Sequence, residues 1–399
     1  MNQNMDMPMV PGFTANGIHV GIKADGRKDL SLFYSAVPAK AAGVFTTNRF
    51  KAAPVLVDAA RIKSGTAQAI LANSGNANAA TGREGYEDAL ALSKAASGSL
   101  GIDDELVQVA STGIIGQRVP VRKIAEGIEN LVAGLRPAGI ADAGEAIMTT
   151  DKFPKISCRK ALVGSKEVTL CGIAKGAGMI SPQMATMLAF FLTDADIDAP
   201  VLSGLFRQAV NKSFNAITVD GCMSTNDTAI ILANGLARNK PIKRGAKDYF
   251  LFKEILFAVA LELAQAIVRD GEGATKVIEI TIEGAASTGD ARKAAYAVAD
   301  SNLVKTAFFG CDPNWGRIIS ALGASGADLI EDAVEVFCED LPLFAGGKGV
   351  AGCSQKLGEL MAQPTIKLRV NLGAGKKNLR LYTSDLTFEY VKINAHYHT

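Results

Sequence analysis

The stretch "KGAGMISPQMATMLAFFLTD", Lys175–Asp194, joins two kinds of chain at one threonine. Up to Pro182 it is rich in glycine and proline, the punctuation of a loop. From Met187 it is an apolar run of strand-like composition. Thr186, preceded by Ala185, sits at the join. Two readings fit. A threonine opening a buried strand reflects β-propensity, and a glycine loop before it is a turn. Alternatively, the junction is a scissile bond. The Thr186 hydroxyl would attack the preceding carbonyl in an N-to-O acyl shift, which needs an open backbone and a small side chain before it. The amine released on cleavage, with an ordinary pKa of about 7.7–8.0, could then deprotonate its own hydroxyl, as threonine–amine nucleophiles do.

Outward from this junction, short strands and helices interleave. "LSLFYSAV", "AGVFTTN" and "AQAILANSG" (67–75) read as strands, since β-branched and aromatic residues alternate between Gly, Pro and Asn. A helix is expected over 83–98, a strand over 106–116, an amphipathic helix over 120–135, and a further helix ending at "AGEAIMTTD". Beyond Thr186 come a helix over about 199–213, a strand in "AITVDG", a long Leu/Ala-rich helix over 249–269 and an alternating strand over 276–284. "DPNWGRIISALGASG" reads as a loop entering a helix. The tail reads as three strands, "IKLRVNL", "LRLYTS" and "LTFEYVKINAHY". A chain of 399 residues has room for two or three core units, and the interleaving suits a mixed α+β, layered α/β/β/α body.

Composition excludes several classes. Lys+Arg (42) nearly balance Asp+Glu (40) and aromatics are 6%, so neither electrostatic capture of nucleic acid nor a base-stacking surface is indicated. No apolar stretch is long enough to span a membrane, and the N-terminus lacks the pattern of a signal peptide. The six cysteines (158, 171, 222, 311, 338, 353) form no C-x-x-C or Cys/His cluster; neither a metal site nor a disulfide framework is expected, and free thiols fit the cytoplasm. There are three histidines, His19, His396 and His398, an unpromising set for a histidine relay. Neither a dinucleotide fingerprint nor a phosphate-loop motif is present, and no cofactor is expected.

Beside "KGAGMISPQMATML" stand "GVFTTNRFKAAPV", "ANSGNANAATG", "STGIIG", "TTDKFPK", "VDGCMSTNDT", "RDGEGATK", "GCDPNWGRI" and "YVKINAHYHT", running in order from about residue 43 to 399. Together they resemble the ornithine acetyltransferase (glutamate N-acetyltransferase) family of arginine biosynthesis over nearly the whole chain. The resemblance implies a fold similar to that of N-terminal-nucleophile hydrolases but of distinct topology. It implies self-cleavage between Ala185 and Thr186 into an α chain (1–185) and a β chain (186–399). A catalytic core of about 10–275 would span the cut, followed by a C-terminal α+β subdomain of about 276–399. Thr186 would be the nucleophile and Thr112 and Gly113 the oxyanion hole. Thr149, Lys175, Thr186, Glu272, Asn394 and Thr399 would bind substrate; Thr149 is the least secure, because Thr150 adjoins it.

The implied reaction moves an acetyl group from N2-acetylornithine to glutamate by a ping-pong route. Family members differ in whether acetyl-CoA also serves as donor, and no residue here decides that. They are commonly α2β2 heterotetramers or larger, with no nucleic-acid or membrane partner. The residues taken alone leave each role open. Lys175 could be a solvated surface cation, a grip for a substrate carboxylate or a charge that lowers the pKa of the amine. Glu272 could pair with a substrate amine or form a loop ion pair with Arg269 or Lys276. "STGIIG" could be only a strand-end turn, and the chain end could simply fray. Two other functions compete: an aminopeptidase or amidase using the same threonine with water as acceptor, and a non-catalytic binding protein.

Overall fold

The computed structural model describes residues 9–181 and 187–396. Leu30–Phe45 form one strand of 16 residues, where the sequence suggested two short ones, and this strand organises the fold. With β1 (Phe13–Ile18) before it, we call it β2. Its first half pairs antiparallel with β3 (Thr66–Asn76) and its last six residues with β8 (Thr228–Ala233). The register slips between Tyr34 and Ala39, around Pro38, which has no N–H for a ladder. The sheet continues through β4 (Val107–Ile114) on one side and through β7 (Leu188–Thr193), β6 (Lys166–Lys175) and β5 (Lys155–Val163) on the other. Its order is β4-β3-β2-β8-β7-β6-β5.

Because β2 serves both halves, the sheet folds over on itself. The alternation of residues along each strand records this. In β7, Leu188, Phe190 and Leu192 point into the cluster shared by both halves, whereas Ala189 and Phe191 point outward. Ile230 and Leu232 of β8, Phe33 of β2 and Ile70 of β3 also enter the shared cluster. Helices cover the two outer faces. On the β3–β4 side lie α1 (Ala53–Arg61), α2 (Gly82–Leu100) and α3 (Val121–Ala133). A short α4 (Ile140–Ala146) packs on β1 and β2. On the other side lie α5 (Ala199–Lys212) and α6 (Lys247–Arg269). The result is the expected α/β/β/α layering.

A second sheet has the order β12-β11-β10-β13-β9-β14. Its strands are β9 (Val277–Ala285), β10 (Glu335–Cys338), β11 (Leu341–Ala345), β12 (Lys348–Gly349), β13 (Thr365–Asn371) and β14 (Lys377–Ser384). Only the β9–β13 pair is parallel. Helices α7 (Thr288–Ala299), α8 (Asn302–Gly310), α9 (Trp315–Gly323) and α10 (Ser354–Met361) share its core. Trp315 heads α9 and its ring lies 5.8 Å from that of Phe344, so it is a packing residue of this second core.

Three expectations are corrected. "LTFEYVKINAHY" is not a strand: Phe388–His396 form α11. The hydroxyl of Thr387 donates to the Gly273 carbonyl (2.8 Å), turning the chain back toward the first sheet, and the helical spacing sets Tyr390 and Asn394 one turn apart on one face. "AITVDG" forms a loop with a single bridge, Ile217 to Tyr382. Finally, Cys158 and Cys171 are joined as a disulfide. They are exact partners in the β5–β6 register, with Cα atoms 4.1 Å apart; a hairpin had not been read there. Cys222, Cys311, Cys338 and Cys353 are free thiols. No helix among the described residues is long and apolar enough to cross a membrane.

Phe190 tests the folded sheet. It is fully buried, with its ring 5.3 Å from Phe33 of the other half. Phe190→Ala should lower the free energy of unfolding by about 3–5 kcal/mol, read from denaturant titration. A loss below about 1 kcal/mol would mean that the two halves do not pack here.

Candidate active site

The ends of β4 and β6 meet the loops around 149, 178, 222 and 272 and the helix α11 at one cavity. Thr112, Gly113, Thr149, Lys175, Glu272 and Asn394 all line it. Six of the residues expected from the sequence are therefore brought together from positions spread over most of the chain. Ala185, Thr186 and Thr399 lie outside the described residues. Leu188, at the start of β7, is the ladder partner of Lys175.

Lys175 closes β6 with 2% of its surface exposed, so the solvated reading of this lysine is wrong. Its ammonium donates to the Thr149 hydroxyl at 2.8 Å and to the Thr112 hydroxyl at 3.4 Å, and lies 3.9 Å from Asp151. Thr149 rather than Thr150 makes the bond to Lys175, although both line the cavity. Burial lowers the Lys175 pKa, and Asp151, Glu272 and Asp227 oppose that. Asp151 is held by the amides of Thr149 (2.9 Å) and Gly176 (2.7 Å) and by the ammonium of Lys155 (2.7 Å). Burial alone would raise its carboxyl. The charges of Lys175 and Lys155 outweigh burial and hold it well below the usual carboxylate range. Lys155 also bonds Asp270 at 2.6 Å. A chain of alternating charge thus runs beneath the cavity, Lys175–Asp151–Lys155–Asp270, with Lys155, Asp151 and Asp270 side chains fully buried.

Gly113, at φ +138, is needed for a close approach: a Cβ there would lie 2.3 Å from the Gly75 carbonyl carbon. The β3–β4 pair can close at this end only with glycine. Across the cavity, the Glu272 carboxylate accepts from Asn394 Nδ2 at 2.7 Å, and its backbone N–H bonds the Ala177 carbonyl at 2.9 Å. It makes no ion pair with Arg269 or Lys276; the Lys276 ammonium bonds the Phe308 and Phe309 carbonyls instead. Gly178 lets the carboxylate sit against the loop, since a Cβ there would come within 2.4 Å of it.

Sequence reasoning missed several lining residues inside motifs that it had singled out. Asp220, in "VDGCMSTNDT", accepts from the amides of Met179 (2.7 Å) and Ile180 (2.9 Å) and from the Tyr390 hydroxyl (3.2 Å). It joins the glycine loop to α11. Burial raises its carboxyl against the pull of these donors. Asn226, in the same motif, donates to the carbonyls of Ala77 (2.6 Å) and Ser111 (2.8 Å). It fixes the strand end that presents Thr112 and ties "NSGNANAATG" into the site as scaffold. Asp and Asn clustered beside Gly in a loop were the available signal. His19 interacts instead with the Arg27 carbonyl and Asp29 and does not line the cavity.

Chemically, the cavity offers the cation of Lys175, the carboxylates of Glu272 and Asp220, the hydroxyls of Thr112 and Thr149 among others, and the amide side chains of Asn394 and Asn226. This is a set suited to an amino acid, whose own groups are an ammonium and a carboxylate. Lys155→Met should leave Asp270 buried without a cation. The expected loss is about 3–5 kcal/mol of stability, the usual cost of breaking a buried pair, measured by urea denaturation. An unchanged midpoint would mean that the charge chain does not hold the cavity floor.

The chain matches the ArgJ family over residues 14–399. It is 50% identical over 391 residues to the arginine biosynthesis bifunctional protein ArgJ of Geobacter sulfurreducens, covering 98% of this chain and 100% of the relative. It is 48% identical over 394 residues to that of Syntrophotalea carbinolica, covering 98% and 100%. Among solved structures, the argJ protein of Bacillus halodurans is similar with a TM-score of 0.50 and 37% identity, over 52% of this chain and 98% of the solved one. A match of this extent and identity leaves one assignment: the chain belongs to the ArgJ family.

Proposed function

We propose that this chain transfers the acetyl group of N2-acetylornithine to glutamate through an ester on Thr186, after cleaving itself between Ala185 and Thr186. It is an acyltransferase of arginine biosynthesis. The observation that carries this reading is the convergence of Lys175, Thr149, Thr112, Gly113, Glu272 and Asn394 on one cavity, at the strand end from which the chain runs to Thr186. The two-chain state has separate support. The Bacillus halodurans chain is matched over 98% of its length while spanning 52% of this one, so that solved chain is about half as long.

The chemistry follows from the groups. The Thr186 amine takes the proton of its own hydroxyl as Oγ bonds the acetyl carbon. The oxygen of the tetrahedral adduct gains negative charge and is met by the Gly113 N–H and the Thr112 hydroxyl, donors set in place before that charge develops. Collapse expels ornithine, whose nitrogen takes the proton from the Thr186 ammonium. The amine of glutamate then attacks the ester, and the same proton path runs in reverse. Glu272 with Asn394 meets the substrate ammonium, and Lys175 with Thr149 meets the carboxylate that donor and acceptor share. Thr399 would add a further contact to the substrate. The cut gives an α chain of 1–185 and a β chain of 186–399, with the first sheet drawn from both, so the fragments stay associated. We take an α2β2 assembly as the working state, no cofactor, and acetyl-CoA as a second donor to be tested.

Thr186→Ala should yield one uncleaved chain without transferase activity. The unaltered protein should run as two fragments of similar size, since the cut divides 399 residues nearly in half. Cleavage of the Thr186→Ala variant would remove Thr186 from self-processing. With acetylornithine, ornithine release should require glutamate beyond the first turnover; release that ignores glutamate would mark a hydrolase. Gly113→Ala should lower kcat on the order of 10²-fold by displacing an oxyanion donor; retained kcat would assign the donor elsewhere.

A further inference from the structure

We propose that the seam between the two cores is a binding site for a small phosphate ester with a ring-bearing body, of the nucleotide class. Arg292 and Lys212 would meet the phosphate, and the apolar wall between them would hold the ring. The site is separate from the active cavity, and its reading does not rest on the role of Thr186.

A cavity of about 680 Å³ opens where α5 and α6 of the first core face α7 and β14 of the second. That is within the size range of small-molecule sites, which favour such junctions. It shares no lining residue with the active cavity. Lys212 at the end of α5, Arg292 on α7 and Arg380 on β14 line it, and among the described residues no aspartate or glutamate does. Half-buried Phe257 and Leu261 of α6 and the buried Tyr382 of β14 supply the apolar wall. Cations beside an apolar wall, with no carboxylate lining it, complement an anion that carries an apolar body.

One of these cations is incomplete as it stands. Nη2 of Arg292 is buried and has no hydrogen-bond partner among the described residues. The guanidinium lies 5.2 Å from the centre of the Tyr296 ring, but the Tyr296 hydroxyl is already committed, donating to the Asn215 carbonyl at 2.9 Å. Buried N–H groups nearly always find an acceptor, and a desolvated charge left unpaired is costly. The planar fork of arginine matches the oxygens of a phosphate. The nearby acids are engaged elsewhere. Glu279 lies 3.2 Å from Arg380 Nε, and Asp290 is held by the Ser287 hydroxyl (2.6 Å) and the Lys293 ammonium (3.3 Å). Arg292 is in neither pair, and neither acid lines the cavity.

Three further features select the class of ligand. Thr288, the first residue of α7, lines the cavity, which brings the positive end of a 12-residue helix to it, a setting that favours phosphate. The Lys212 ammonium lies 5.9 Å from the centre of the Phe257 ring, so the charged and apolar surfaces adjoin, as the two ends of a phosphate ester require. The active cavity, read as an amino-acid site, is about 110 Å³, so the seam takes a larger molecule. The sequence carries no glycine-rich phosphate loop; side chains and the helix end would do that work.

The test is isothermal titration of the purified protein with ADP, and separately with inorganic phosphate and with adenosine. ADP should bind at one site per chain with a Kd below about 1 mM. Phosphate and adenosine should each bind at least about tenfold more weakly than ADP, because each fills only part of the site. Arg292→Gln and Lys212→Glu should each weaken ADP at least about tenfold, and N2-acetylornithine should not displace it. If Arg292→Gln does not fold, Lys212→Glu, at an exposed position, decides alone. A Kd of about 1 mM or weaker, a loss under about tenfold in either folded variant, or phosphate or adenosine within about tenfold of ADP would overturn the proposal. Displacement of ADP by N2-acetylornithine would overturn it too, by placing ADP in the active cavity. A seam filled by water alone, or closed by a second copy of the chain, would show no ADP binding.

Discussion

A lysine ammonium with 2% of its surface exposed stays in a folded protein only where other groups replace its water. Lys175 meets that condition with Asp151 and the hydroxyls of Thr149 and Thr112. Asp151 in turn needs Lys155, and Lys155 needs Asp270. This chain of dependence reaches from β6 to the end of α6, and it fixes the cavity floor before any substrate enters. Under the proposed acetyl transfer, an oxyanion and an ammonium arise within one turnover, and fixed charges that need not reorganise favour both.

The fold supplies these positions through two long-range devices. The bent β2 lets one sheet form both inner layers, so that β4 with Thr112 and β6 with Lys175 open onto the same cavity. The second sheet sends its last helix back: α11 presents Asn394 to Glu272 and Tyr390 to Asp220. Asp220 also holds the amides of Met179 and Ile180, just before the segment that carries Thr186. A perturbation of α11 is thereby coupled, through hydrogen bonds, to the loop leading toward Thr186, the proposed nucleophile.

Much of this was legible in the sequence, for reasons that differ by residue. The strand after Thr186 announced itself by composition, and β9 by strict alternation. Family motifs pointed to Thr112, Gly113, Lys175, Glu272 and Asn394 where propensity alone favoured turns and surface charges. The failures share a cause: tertiary context overrides local pattern. "FEYVKINA" has the β-branched and aromatic residues of a strand, yet Tyr390 and Asn394 must share a face to reach Asp220 and Glu272, and only a helix spaces them so. The Cys158–Cys171 pair depends on the register of a hairpin that was not read. Lys155 looks like any exposed lysine until two carboxylates from residues 151 and 270 close on it.

The account comes down to which atom of the protein carries the acetyl group between donor and acceptor. Incubating the enzyme with acetyl-labelled N2-acetylornithine in the absence of glutamate, quenching in acid and mapping the label on peptides tests this directly. The account predicts one acetyl group per active site on the peptide that begins at Thr186, chased off by added glutamate. Label on any other residue, or turnover with no acetyl-protein formed, would contradict it.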